Sequence, residues 1–158
     1  MSGLFGKAID LAAILKNVTT INHVLSGAVI ALAIRHPWVA IPVAVASHFL
    51  LDMMPHFGGV PWFESWNKKM ALVAVSDVLL SIACLATIMA AFPTSVWLIL
   101  ACAIGATLPD WPWVLHYRFG WRHPYFDWHQ AIQRYERPWG AYVEVGFVLF
   151  AISALMRM

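Results

Sequence analysis

Apolar residues fall into five runs, at about 20–34, 38–54, 70–92, 95–114 and 139–156, separated by short stretches rich in proline, glycine and charge. Runs this uniformly apolar predict helices that are hydrophobic all round, because a helix at a water-facing surface carries only one apolar stripe. Ahead of them, Leu4, Phe5, Ala8, Ile9, Leu11, Ala12 and Leu15 recur at near-helical spacing while Lys7, Asp10, Lys16 and Asn17 interrupt them. That pattern predicts an amphipathic interfacial helix over residues 3–17. Only Arg35, His36 and Pro37 join the first two runs, so these must form an antiparallel hairpin. Gly58, Gly59 and Pro61 mark a loop, Pro93 closes the third run, and Pro109 and Pro112 flank the end of the fourth. Residues 116–138 form the long polar segment, with His116, Arg118, Arg122, His123, Asp127, His129, Arg134, Glu136 and Arg137.

Composition turns this pattern into a class. The 158 residues are 61% hydrophobic and 11% charged, with a mean hydropathy of +0.72, outside the range of soluble domains of this size. The expectation is an all-α integral membrane protein, a single domain over 1–158 with about five transmembrane helices. Two of the runs are shorter than the roughly 20 residues a full crossing takes, which predicts tilted spans or spans extended by flanking aromatics. Alternating directions put Lys7, Lys16, Lys68, Lys69, Arg118, Arg122, Arg134 and Arg137 on one side, against Arg35 and Arg157 on the other. The positive-inside rule then predicts a multi-pass plasma-membrane protein with a cytoplasmic N-terminus and an outer C-terminus. No basic arm suggests nucleic acid, and Cys84 and Cys102, each inside an apolar run, offer no disulfide framework. The first sixteen residues lack a small-residue cleavage site, so no cleaved leader is expected.

Ionisable residues inside such runs are expensive, and they gather. His23 opens the first run, His48, Asp52 and His56 close the second, Asp77 lies two turns into the third, Asp110 ends the fourth and Glu144 opens the fifth. Alternating spans bring all of these to one membrane face, together with the histidines of the 116–138 segment. His48 and Asp52, four apart, share a helix face, and Pro55 frees His56 to fold back. Imidazoles with carboxylates suit zinc, as one or two ions. The expected inner shell is His23, His48, Asp52 and Asp110, with His56, Asp77 and His129 as second-site or supporting groups. Taken singly, each has a plainer reading: His23 and Asp77 as hydrogen-bonded helix residues, Asp110 as part of a Pro-rich turn, Glu144 as a partner for Arg134 or Arg137. A weak internal echo relates Asn22-His23-Val24-Leu25 to Ser76-Asp77-Val78-Leu79, and Asp52 with Pro55 to Asp110 with Pro112.

Through His23 followed by Gly27, Ser47-His48-x-x-x-Asp52, and Leu108-Pro109-Asp110, the chain resembles the bacterial membrane-bound metal-dependent hydrolases. In that family Leu-Pro-Asp usually precedes Ser-His. The family's His-Arg-Gly-x-Thr-His segment has its nearest counterpart here in the stretch from His123 to His129. The resemblance implies His23, His48, Asp52 and Asp110 as metal ligands and hydrolysis as the activity. The expected substrate is a lipid or lipid-linked phosphate or ester at headgroup level, with Asp77 or His129 moving the proton and Arg118, Arg122, Arg134 and Arg137 holding phosphate. Two other functions fit the same residues, a cation or proton transporter and a non-catalytic metal-stabilised membrane module. An oligomer is compatible with each.

Overall fold

One helix, α1 (Thr20–Ile34), touches nearly everything else, and its composition explains why. Its buried face runs through Leu25, Gly27, Ala28, Ala31 and Leu32, among which the small Gly27, Ala28 and Ala31 let neighbouring backbones come close. The computed structural model describes residues 19–58, 68–112, 116 and 119–158. The interfacial helix expected over 3–17 and Arg118 lie outside these residues.

The described residues are almost entirely helical, so the all-α expectation holds. After α1 the chain turns through Arg35, which adopts a left-handed conformation (φ 55°) and donates its N–H to the Ala31 carbonyl. Pro37, whose missing N–H costs nothing at a helix start, opens α2 (Pro37–Asp52). The hairpin is pinned by Ser26 Oγ, which donates to Ser47 Oγ at 2.8 Å, and Ser47 donates in turn to the Ala44 carbonyl. Next come α3 (Lys68–Ala91), a 3₁₀ turn at Pro93–Ser95, α4 (Val96–Thr107) and a second 3₁₀ turn at Leu108–Asp110. Then follow α5 (Pro124–Ile132) and α6 (Gly140–Leu155). Two-residue strands β1 (His56–Phe57) and β2 (Glu136–Arg137) pair in parallel and tie the segment after α2 to the one before α6. A Cβ on Gly140 would overlap the His56 backbone, so only glycine lets β1 lie across the start of α6.

α1 packs against α2, α3, α4 and α6, around a core of Leu25, Ala28, Ala31, Leu32, Ala40, Ala44, Ile99, Cys102, Ala106 and Ala151. Two helical stretches, Ala71–Ala91 and Pro93–Asp110, are long and apolar enough to cross a membrane; α1, α2 and α6 are shorter apolar helices. Leu72, Leu79 and Leu80 on α3, and Tyr142, Leu149 and Phe150 on α6, are more than half exposed. A continuous apolar exterior of this kind suits lipid.

The sequence reading treats 116–138 as a polar loop, yet α5 lies within it. Its signals are local: Pro124 occupies the first helical position, and the His123 ring accepts the Tyr125 N–H at 3.2 Å as a cap. The helix is amphipathic, with Phe126 and His129 on its buried face, but it is only nine residues long and polar on average, so it does not stand out as an apolar run.

α1 and α4 approach closely at Gly27, where an added Cβ would meet the Cys102 carbonyl oxygen at 2.5 Å and the Ala103 Cα at 2.8 Å. Backbone cannot swing aside. Gly27→Val is therefore expected to cost about 1–3 kcal/mol, read as a clear drop in thermal midpoint in detergent. Gly146→Ala, whose Cβ meets nothing within 4 Å, should leave the midpoint nearly unchanged.

Candidate metal centre

At the end of the bundle where α1 begins and α2 ends, four side chains from three segments converge: His48 and Asp52 from α2, Asp110 from the 3₁₀ turn after α4, and His129 from α5. One ligand atom from each lies within 4.8 Å of all the others. His48 Nε2 is 3.2 Å from Asp52 Oδ2, 3.5 Å from Asp110 Oδ1 and 3.3 Å from His129 Nε2. His129 Nε2 is 2.8 Å from Asp52 Oδ2 and 3.8 Å from Asp110 Oδ1. Tetrahedral zinc, with bonds of about 2.0–2.2 Å, has ligand–ligand edges of roughly 3.3–3.6 Å. The observed separations scatter around that edge. His48, Asp52 and His129 have no exposure, while the Asp110 side chain is 23% exposed, so the group opens on one side.

Local structure aims these atoms. His48 Nδ1–H donates to the Ala106 carbonyl at 2.7 Å, which turns Nε2 toward the group. Gln133, the residue that ends α5 four positions beyond His129, donates its amide N–H to Asp52 Oδ2 at 2.9 Å and so orients that carboxylate. Tyr125 donates its hydroxyl to the Pro109 carbonyl at 2.6 Å and holds the turn that carries Asp110. Its phenol is pushed up to about 12, by burial first and then by the Asp110 and Asp52 carboxylates, so it remains a proton donor through the physiological range. Phe49 and Trp128 pack their rings against each other beside His129.

Of the residues singled out in the sequence, His48, Asp52 and Asp110 meet as expected. His129, expected to move a proton, belongs to the ligand group itself. His23 stacks on His48 with ring centroids 4.3 Å apart and brings Nε2 to 3.4 Å from Asp52 Oδ1, on the carboxylate oxygen opposite the group. Asp77 takes another role. Its carboxylate accepts the Thr20 and Ile21 N–H groups at 2.7 and 3.2 Å, while Glu144 accepts the Thr19 N–H at 3.4 Å, so two acidic side chains from distant helices cap α1. The first N–H groups of a helix have no partner within it, and the helix dipole favours negative charge there. His56 is buried beside that capping pair, with Nδ1–H donating to the Met54 carbonyl at 2.9 Å. The echo pair Asp52 and Asp110 thus meets across His48, whereas His23 and Asp77 part company.

The arginines are scattered. Arg122 lines an open cleft of about 490 Å³ with His116, His123, Pro124, Phe126 and Asp127. Arg134 lies over the Tyr135 ring, and Arg137 donates to the Glu136 carbonyl in β2. Gln133 and Tyr125 are the contributors that sequence reading passed over. The spacing of His129 and Gln133, the same four-residue step as His48 and Asp52, is the signal that was available for the first.

The two acid roles separate by mutation. Asp52→Asn is expected to abolish stoichiometric metal retention, measured by elemental analysis of the purified protein. Asp77→Ala should retain the metal yet lower the thermal midpoint, because α1 loses its cap at a cost of about 1–2 kcal/mol. Gln133→Leu should weaken metal affinity about 10–100-fold without removing a ligand. In comparisons with family models, curated proteins and solved structures no match is found, so the functional reading rests on the residues of this chain.

Proposed function

We propose that the chain is a multi-pass membrane protein whose His48, Asp52, Asp110 and His129 hold a divalent ion, zinc foremost, for hydrolysis of a lipid or lipid-linked phosphate or ester. The observation that carries this reading is the convergence of two Nε2 atoms and two carboxylates, buried on three members and open at Asp110. Structural zinc sites are closed, whereas catalytic ones keep a position for water or substrate, and the opening at Asp110 favours the second kind. The reading agrees with the membrane-bound metal-dependent hydrolases that the sequence motifs resemble.

In this proposal α1, α2, α3, the Pro93–Asp110 segment and α6 all cross the bilayer, with the 116–138 segment on the cytoplasmic side. The positive-inside asymmetry supports that orientation. The short lengths of α1, α2 and α6, at 15 and 16 residues, agree with their polar ends meeting within the interface.

The ion, when bound, supplies Lewis acidity and brings the pKa of water toward neutrality. The chain does the rest. His48 and His129 aim their Nε2 atoms at the group, fixed by the Ala106 carbonyl and by α5, and Gln133 holds Asp52 in place. Tyr125 keeps Asp110 at the mouth. A largely apolar cleft of about 200 Å³, lined by Val24, Val78, Ile82, Leu85, Ile104 and Trp111 among others, opens on the side of the bundle. Val24 follows His23 and Trp111 follows Asp110, so an acyl or isoprenoid chain lying in this cleft would bring its headgroup beside the metal group. Arg122, in its own cleft, is placed to attract phosphate. In the reaction, water oxygen adds to phosphorus or acyl carbon, the bond to the lipid alcohol oxygen breaks, and a water proton leaves with the alcohol.

Purified protein is expected to turn over at least one member of a panel of phospholipids, polyprenyl phosphates and lipid esters when zinc-loaded, and none after chelation. Stoichiometric metal without metal-dependent product from any of them would reject the hydrolase. For orientation, a cysteine introduced at the exposed Gln130 should resist an impermeant thiol reagent in intact cells and react after permeabilisation.

A further inference from the structure

His23 is the residue that the four-membered group does not explain. Its side chain is 1% exposed, and among the described residues neither ring nitrogen has a hydrogen-bond partner. Asp52 Oδ1, 3.4 Å from His23 Nε2, is likewise buried without a hydrogen bond, although Oδ2 of the same carboxylate receives Gln133 and contacts both His48 and His129. A buried polar group left without a hydrogen bond is costly, and here a nitrogen and a carboxylate oxygen face each other in that condition. Both are lone-pair donors. At 3.4 Å the two atoms form no aligned hydrogen bond, and the separation matches the edge between two ligands of one cation.

His23 does not share the first ion. It falls outside the set whose ligand atoms all lie within 4.8 Å of one another, and two ligands on one zinc can be no more than about 4.2 Å apart, twice the bond length. The stacking of His23 on His48 sets the two rings side by side at 4.3 Å, a spacing that suits two adjacent ions better than one.

We propose that Asp52 bridges two divalent cations: Oδ2 serves the ion held by His48, Asp110 and His129, and Oδ1 with His23 Nε2 forms a second cation position completed by water or substrate. The inference rests on the first ion being bound, and it narrows the substrate class to a phosphate ester. Two cations about 3.5–4 Å apart clamp the attacking and leaving oxygens of an in-line displacement at phosphorus, an arrangement that recurs in phosphatases and nucleases. The second position, with two protein ligands, is the weaker and exchangeable one.

The test uses full-length protein in detergent, stripped of metal and brought to saturation with Mn²⁺ by equilibrium dialysis. Two Mn²⁺ per chain are expected, with an exchange-coupled signal in electron paramagnetic resonance. His23→Ala should bind one Mn²⁺ with an uncoupled signal, and His23→Gln, which preserves more of the packing, should do the same. One uncoupled Mn²⁺ in the native protein overturns the second position and leaves the proposed function standing. No bound Mn²⁺ in the native protein overturns both. The native stoichiometry and coupling decide the matter even where a His23 variant fails to fold.

Discussion

A carboxylate without solvent, that of Asp52, constrains this protein more than any other single group. An uncompensated charge in such surroundings costs several kcal/mol, so the fold must deliver partners to it. It delivers them from separate parts of the chain: His48 one turn earlier on α2, His129 from α5 with Gln133 just past its end, and His23 from α1. Each of these contacts dictates a packing relation. α5 must lie across the end of α2, and the first turn of α1 must face the last turn of α2. Asp110 closes the arrangement from the end of α4, whose Ala106 carbonyl also orients His48. The polar end of the bundle is thus assembled by electrostatic necessity, in a place where hydrophobic burial offers little discrimination.

The apolar end obeys a different rule. Where helices are apolar on every face, burial of hydrocarbon discriminates little between arrangements, and association depends on close packing. Gly27 against the Cys102 backbone, the alanines along α1, α2 and α4, and the Ser26 to Ser47 hydrogen bond meet that requirement. Large side chains such as Leu72, Leu79, Leu149 and Phe150 point outward instead. The two ends depend on each other through α1. Its start is held by Asp77 of α3 and Glu144 of α6, and its middle sets the spacing that brings His23 to Asp52.

The apolar helices were legible because they rest on a property of every residue within them. Runs of hydrocarbon bounded by Pro and Gly place α1 within a residue of the expected ends, and α2, α3 and α6 within about two. The same holds for His48 with Asp52, whose pairing is set by helical repeat alone, and for the gathering of Asp110 with them, which follows from alternating direction. α5 is not legible as an apolar run because it is short and polar on average, its apolar face being carried by a few residues such as Phe126 within a charged stretch.

Chemical role was a different matter. His23, Asp77, His56 and His129 all lie near one end of the chain's helices, and one dimension does not distinguish them. Tertiary structure does. Asp77 is drawn to the unpaired N–H groups of α1, His56 to the strand pair before α6, His129 to the buried carboxylate and His23 to its far oxygen. By itself, then, the sequence determined which segments are helical and apolar and at which end their ionisable residues collect, because both follow from local periodicity. Only the folded chain decided which of those residues face one another, because contact at 3 to 4 Å depends on rotation about each helix axis, and that rotation is set by packing against every neighbour at once.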